Sequence, residues 1–326
     1  MGTKLTIGKA INAGLRAAME HDPKVLIMGQ DVGKLGGVFR VTDGLYKDFG
    51  ADRVMDTPLA ESGIVGTAIG MALRGYRPVV EIQFDGFFFP STNQTFTQLA
   101  KMRRRSAGAL SVPLVMRIPY GGGIGAVEHH SESPEAYFMH TAGLRVVTVA
   151  NPEDAYWMIQ QAIRSEDPVI FLEPKRRYYE RAEVDTTAPI TQATPMGAAR
   201  VARPGTDATV LAYGPMVKTA LQAAEADTDR SLEVIDLRSL APVDYPTVME
   251  SVKKTGRLVV THEATLTGGP GAEIAARVTE ECFYHLESPV IRVAAYDTPY
   301  PQSRLEEHYL PDLDRVLDGV DRTFAY

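Results

Sequence analysis

Glu61 lies in the segment Asp56-Thr57-Pro58-Leu59-Ala60-Glu61-Ser62-Gly63-Ile64, with Leu59, Ala60, Ile64 and Val65 as apolar neighbours. Burial disfavours an ionised carboxyl and raises its pKa, so a carboxyl in such a setting can share a proton. The plainer alternative is a glutamate that opens a helix and is stabilised by the helix dipole. His130 follows the run Gly121-Gly122-Gly123-Ile124-Gly125, a permissive loop able to present a side chain. Imidazole titrates close to neutral pH, which suits proton transfer. A loop histidine bonded to backbone is the plainer reading there. Phe84, Phe87, Phe88 and Phe89 crowd after Glu81-Ile82-Gln83. An aromatic face can stack on a flat heterocycle, yet most of these rings must simply pack. Phe87 is the candidate for stacking, with Gln83 as a polar contact nearby.

The elements that must position these groups alternate along the chain. Val25 to Met28, Pro78 to Phe84, Leu114 to Ile118, Val146 to Val149 and Val169 to Leu172 are strand-like apolar runs. Between them the pattern predicts helices over Ser62 to Leu73, Thr92 to Arg105, Pro134 to His140 and Glu153 to Arg164. Asn151-Pro152 is a helix start, an N-cap followed by proline. Continuous apolar strands alternating with helices imply a parallel sheet covered on both faces. The segment from Met1 to Glu20 has helical amphipathicity. From about Tyr178 to Gly205 the pattern lapses into prolines, threonines and mixed charge, which reads as a connector. It then resumes as a second, smaller α/β unit. Strands are expected at Thr209 to Tyr213, Leu232 to Asp236, Leu258 to Thr261 and Val290 to Val293. Helices are expected at Val217 to Ala226, Pro246 to Lys254 and Gly271 to Leu286.

Composition narrows the function further. A net charge of −7 makes nucleic acid a poor partner unless basic groups cluster. Arg103-Arg104-Arg105 and Lys175-Arg176-Arg177 are short and read as solvated or interface-facing ends of elements. The single cysteine, Cys282, rules out an intrachain disulfide and suits a reducing compartment. No run is apolar and long enough to span a bilayer, and no signal-peptide block is present. A soluble cytoplasmic protein is expected. There is no G-x-G-x-x-G after a strand, P-loop, G-x-S-x-G elbow, H-E-x-x-H or zinc-type spacing. His129 and His130 are adjacent and would point apart in an extended segment. Gly268-Gly269-Pro270-Gly271 opens a helix and could cradle an anion. Close packing of strand, turn and helix is preferred.

Six ordered segments carry a resemblance. They are Gly29-Gln30-Asp31-Val32 with Gly36-Gly37-Val38-Phe39, Asp56 to Ile64, Glu81 to Phe84, and His130-Ser131-Glu132-Ser133-Pro134-Glu135-Ala136. Phe171-Leu172-Glu173-Pro174-Lys175 and Asp297-Thr298-Pro299-Tyr300-Pro301 complete the set. Together they resemble the beta subunits of thiamine-diphosphate-dependent 2-oxo acid dehydrogenases, over essentially the whole chain. The resemblance implies an α/β pyrimidine-binding domain over residues 1–180, a linker at 181–205, and a transketolase-type C-terminal domain over 206–326. It implies that Glu61 hydrogen-bonds N1′ of the cofactor's pyrimidine, and that Leu59, Gln83 and Phe87 contact the cofactor. His130, by the H-S-x-S register, would transfer protons during reductive acylation of a lipoyl arm. A structural potassium ion would be held near Leu114, Ala162, Ile163, Ser165 and Asp167, with Ser165 where the family usually has Asp.

The same family marks its diphosphate and Mg²⁺ site by G-D-G and a later N-N pair, and this sequence has neither. The missing half is therefore expected from an alpha subunit, in a heterotetramer of two alpha and two beta chains. A lipoyl acyltransferase is the expected further partner, with the segment near Tyr326 as a docking surface. The segments Leu35 to Thr42 and Val127 to Ser131 look most like branched-chain 2-oxo acid dehydrogenases, with pyruvate or acetoin dehydrogenase as alternatives. A non-catalytic scaffold would be favoured by loss of Glu61 or His130, and both are present. A self-sufficient transketolase-like enzyme would need a diphosphate motif within the chain.

Overall fold

Val25–Gly29 and Val169–Pro174 are buried along their whole length, as strands covered on both faces must be. In the computed structural model, which describes residues 2–326, they belong to a seven-stranded sheet. Its order is Ser239–Ala241, Arg145–Thr148, Val169–Pro174, Val115–Tyr120, Arg77–Glu81, Val25–Gly29, Val54–Asp56. All neighbours run parallel except Ser239–Ala241, which pairs antiparallel with Arg145–Thr148. The period of two sorts the side chains into two cores. Val25, Ile27, Val79, Val115 and Phe171 pack with helices Ile7–His21 and Pro152–Arg164. Met28, Val80, Met116 and Leu172 face helix Glu61–Leu73 and run on into Leu211, Ile235 and Val260 of the second sheet. A Cβ on Gly14 would lie 2.7 Å from the Tyr156 carbonyl oxygen, so glycine there lets helices Ile7–His21 and Pro152–Arg164 meet.

The second sheet has the order Ile291–Ala295, Leu258–Thr265, Ala208–Ala212, Leu232–Asp236, Arg200–Arg203, and only the last strand is antiparallel. Helices Met216–Ala226 and Leu313–Thr323 cover its outer face. Tyr245–Thr255 and Pro270–Cys282 lie on the face whose core continues into the first sheet. The parallel sheet with helices on both faces and the second α/β unit agree with the sequence reading.

Two expectations are corrected and a third is extended. The helix expected over Thr92 to Arg105 is broken into a π turn at Asn93–Gln98, a 3₁₀ turn at Leu99–Lys101 and α-helix only at Met102–Arg105. Thr92 and Thr97 donate their hydroxyls back to the Phe89 and Asn93 carbonyls, which competes with regular helix. The amphipathic N-terminal segment begins as a strand, Thr3–Thr6, before Thr6 caps helix Ile7–His21. The connector is not free of structure: Arg181–Val184 pairs with Thr3–Thr6, and Arg200–Arg203 edges the second sheet.

The residues expected to hold potassium already have protein partners. Arg77 donates from Nη1 to the carbonyls of Ile163 at 2.9 Å and Ser165 at 3.2 Å. The Leu114 carbonyl accepts from Val169 N, that of Ala162 from Ser165 N, and that of Asp167 from the Ser165 hydroxyl. The Asp167 carboxylate pairs with Arg103. A guanidinium thus stands where the ion's positive charge was expected, and the donor set does not fit potassium. Arg77→Ala should lower stability by about 1–3 kcal/mol in thermal melts. Melts of the unaltered chain should not distinguish KCl from NaCl at equal ionic strength; stabilisation by KCl alone would restore the ion.

Glu135 joins the two units, accepting from the Tyr213 hydroxyl at 2.8 Å. Burial pushes its carboxyl up to about 7, with the Tyr213 bond opposing. A carboxyl raised in the folded state contributes stability at acid pH that is lost as pH rises through its folded value. Against Glu135→Gln, the unaltered chain should therefore lose melting temperature progressively between about pH 4.5 and 7. A pH-independent difference between the two proteins would contradict this.

Candidate active site

The parallel strands deliver the candidate residues from their carboxyl ends, where open α/β sheets place their ligands. Gln30 and Asp31 follow Val25–Gly29, Glu61 follows Val54–Asp56, and Gln83 to Phe87 follow Arg77–Glu81. The loop bearing His130 follows Val115–Tyr120, and Lys175 follows Val169–Pro174. Asp31 adopts φ 56°, a left-handed turn that lets two consecutive side chains serve the site. Gln30 Nε2 donates to Glu61 Oε1 at 2.9 Å, and Gln83 Nε2 donates to Asp31 Oδ2 at 3.2 Å. Glu61 and Gln83 are thereby tied to one turn. Neither Gln30 nor Asp31 was given a role from sequence, although both lie in the first motif.

Glu61 is the first residue of helix Glu61–Leu73, so the plainer reading of its position also holds. The apolar enclosure expected around it does not form within this chain. Ile64 and Val65 turn into the core, while Ala60 is exposed and Leu59 is 82% exposed. The carboxyl is half-buried at the chain's surface.

His130 sits among aromatic rings. Phe84 lies edge-on at 4.4 Å between centroids and Phe87 at 5.2 Å. Phe87 also packs against the core, so both readings of that ring apply. Among the described residues the buried His130 Nδ1 atom has no hydrogen-bond partner, which argues against the backbone-anchored alternative. Burial lowers the imidazole's pKa, and the Lys175 ammonium adds to that. His129 is exposed and flanks Glu128, while His130 turns inward against the two rings.

Groups from the second unit hold the glycine loop, a contribution that sequence did not reveal. Gly122 N donates to Glu263 Oε2 at 3.1 Å, and Gly123 and Gly125 donate to Glu306 at 2.9 and 3.0 Å. Arg176 pairs with Glu263 at 2.6 Å. A cavity of about 280 Å³ separates Ser131 to Tyr137 from Glu263 to Gly269. His262 beside it is no candidate: Gly271 N donates to its Nε2, it bonds the Ala264 carbonyl through Nδ1, and burial lowers its pKa to about 4.

Comparison with known proteins agrees with this geometry. Residues 3–180 match the family described as transketolase, pyrimidine binding domain, and residues 197–316 match transketolase, C-terminal domain. The chain is 63% identical to a pyruvate dehydrogenase E1 component subunit beta of Leifsonia xyli subsp. xyli, covering 99% of this chain and 95% of that one. It is 55% identical to a 3-methyl-2-oxobutanoate dehydrogenase subunit beta of Mycobacterium tuberculosis, covering 98% and 91%. It is 46% identical to a 2-oxoisovalerate dehydrogenase subunit beta of Pseudomonas aeruginosa, covering 96% and 93%. A solved structure titled split gene transketolase, inactive beta4 tetramer, superposes with a TM-score of 0.79 at 21% identity over 98% of both chains, a likeness of fold. With its motifs, its two-unit fold and these relatives in agreement, the chain belongs to the family of 2-oxo acid dehydrogenase beta subunits.

Proposed function

We propose that this chain supplies the pyrimidine side of a thiamine-diphosphate site shared with an alpha subunit, in an enzyme that oxidatively decarboxylates 2-oxo acids and passes the acyl group to a lipoyl arm. The observation that carries the reading is the open edge at the strand ends. Glu61 and His130 lie there beside exposed apolar residues, Leu35, Val38, Leu59, Ile124 and Val127. A partner that covered this surface would enclose both groups and bury apolar area. The oxygen of Gln30, whose amide already donates to Glu61, is buried without a partner among the described residues and suits a polar ligand there.

In this reading Glu61 would hold the pyrimidine through N1′, with Gln30 fixing the carboxylate, and Leu59, Gln83 and Phe87 would line the ring. The chemistry the cofactor would supply when bound is a thiazolium carbon able to add to the substrate carbonyl and to take up the charge released with carbon dioxide. His130, held neutral by burial and by Lys175, exchanges protons at Nε2, its nitrogen open to a ligand. The diphosphate and Mg²⁺ fall to the alpha subunit, since G-D-G and N-N are absent here. We place the division of the chain at the 181–205 linker. We assign docking of an acyltransferase to the segment near Tyr326, whose ring is exposed.

The preferred substrates are branched-chain 2-oxo acids, from the Leu35 to Thr42 and Val127 to Ser131 segments. Pyruvate is the second reading, favoured by the 63% identical relative named for it. On the assembled enzyme, kcat/KM for 3-methyl-2-oxobutanoate should exceed that for pyruvate; the reverse order would select the second reading.

Calorimetry should show tight binding of thiamine diphosphate with Mg²⁺ only when an alpha subunit is present. Glu61→Gln should cut decarboxylation by roughly 10²-fold or more without changing assembly. Near-normal turnover, or tight binding by the lone chain, would remove the shared site.

A further inference from the structure

Behind His130 lies a buried ion pair that the chemistry above does not use as a reactant. The Lys175 and Asp85 side chains are both fully buried, and their charged ends meet. Each arises directly beyond a strand of the first sheet, on either side of Val115–Tyr120. Asp85 Oδ1 also accepts from the backbone N–H of Glu132 at 3.0 Å. Lys175 Nζ lies 3.4 Å from the Pro119 carbonyl oxygen and 5.7 Å from the Phe84 ring, which itself packs against the His130 ring. Next to Asp85, Gly86 is pressed on the same segment: a Cβ there would stand 2.7 Å from His129 Cα and from its carbonyl oxygen. Residues 85 and 86 therefore hold the 129–132 stretch at both ends, with His130 between them.

We propose that the Asp85–Lys175 pair is the positioning element for His130, in which Asp85 fixes the 129–132 backbone and Lys175 anchors Asp85 while placing a positive charge behind the Phe84 and His130 rings. This rests on the reading of His130 as the proton-transfer group. The charged groups facing His130 are Lys175 from directly beyond strand Val169–Pro174, and His129 and Glu128 from its own loop. Burial is the first cause of its lowered pKa, Lys175 and His129 lower it further, and only Glu128 opposes. The Phe84 and Phe87 rings that pack against it carry no charge. Burial pushes Asp85 up to about 6 and Lys175 down, and the attraction between the two opposes both shifts. Each charge is therefore needed by the other. Removing one alone leaves a buried unpaired ion, while replacing both by neutral groups is commonly tolerated.

The test is a ¹⁵N-histidine NMR titration of the full chain, with His130→Gln assigning the resonance. Lys175→Met and the double variant Asp85→Asn/Lys175→Met should both raise the His130 midpoint, more than that of any other histidine. The double variant keeps the test decisive if the single one fails to fold. A His130 midpoint unchanged in the folded double variant would overturn the electrostatic role. Amide exchange at Glu132 should be faster in Asp85→Ala/Lys175→Met than in Asp85→Asn/Lys175→Met, because asparagine keeps the acceptor; equal rates would overturn the backbone role. Neither readout uses turnover. Full activity of assembled His130→Gln would instead remove the catalytic reading and leave these results standing.

Discussion

Arg117 is a guanidinium with no solvent exposure, and the ends of three strands are arranged around its charge. Its Nε and Nη2 donate to Glu173 at 2.6 and 2.9 Å, and its Nη1 donates to Glu81 at 2.6 Å. Tyr178 adds a hydroxyl bond to Glu173 at 2.6 Å. Burial alone would lower the guanidinium's pKa, and the two carboxylates hold it above its ordinary value. Desolvating three such charges is costly unless every partner is in place, so the geometry is strongly enforced. Glu81 and Arg117 are register partners on adjacent strands. A slip by one residue would turn them to opposite faces. With that register fixed, Gln83, Phe84, Asp85 and Phe87 leave one strand, and Lys175 leaves another, at set places on the same edge.

The second unit does more than extend the molecule. Its carboxylates at Glu263 and Glu306 take the backbone N–H groups of the glycine loop that leads to His130. Its strand Ser239–Ala241 completes the first sheet, and its core is continuous with that sheet's inner face. Glycines in a loop cost conformational entropy when ordered. Charged acceptors on three of their N–H groups offset that cost, and charged hydrogen bonds are the stronger kind. The loop is thus permissive in sequence yet fixed in the fold. His130 owes its place to both units, with Asp85 and Gly86 on one side and Glu263 and Glu306 behind.

The regular elements were legible because their signals are local. Apolar runs such as Val169 to Leu172 and the Asn151-Pro152 helix start need only neighbouring residues to be read, and the structure places strand and helix there. The strand Val54–Asp56 was missed because three residues carry too little pattern. The broken helix after Phe89 was misread because its composition is helical, while the threonine hydroxyls act on the backbone. At the candidate site, Glu61 and His130 are singled out by motif order alone, and no local pattern distinguishes them from a helix-opening glutamate or a loop histidine. Gln30, Asp85, Lys175 and Glu263 were not assigned, since their partners lie 31 to 141 residues away in sequence. Such pairings depend on strand order, and strand order is not written in any one segment.

Two carboxyls in this chain show why the proposed site needs a second surface. Glu135, five residues beyond His130, is fully enclosed and is pushed up to about 7 by burial. Glu61 opens a helix at the surface, with exposed Ala60 and Leu59 before it and a Gln30 amide donating to it. Enclosure by the rest of the fold is present at Glu135, while Glu61 lies half-buried beside exposed residues. The apolar residues left uncovered around Glu61 are the surface on which an alpha subunit would supply it. Catalytic competence at Glu61 would then be a property of the interface, created when the two chains meet.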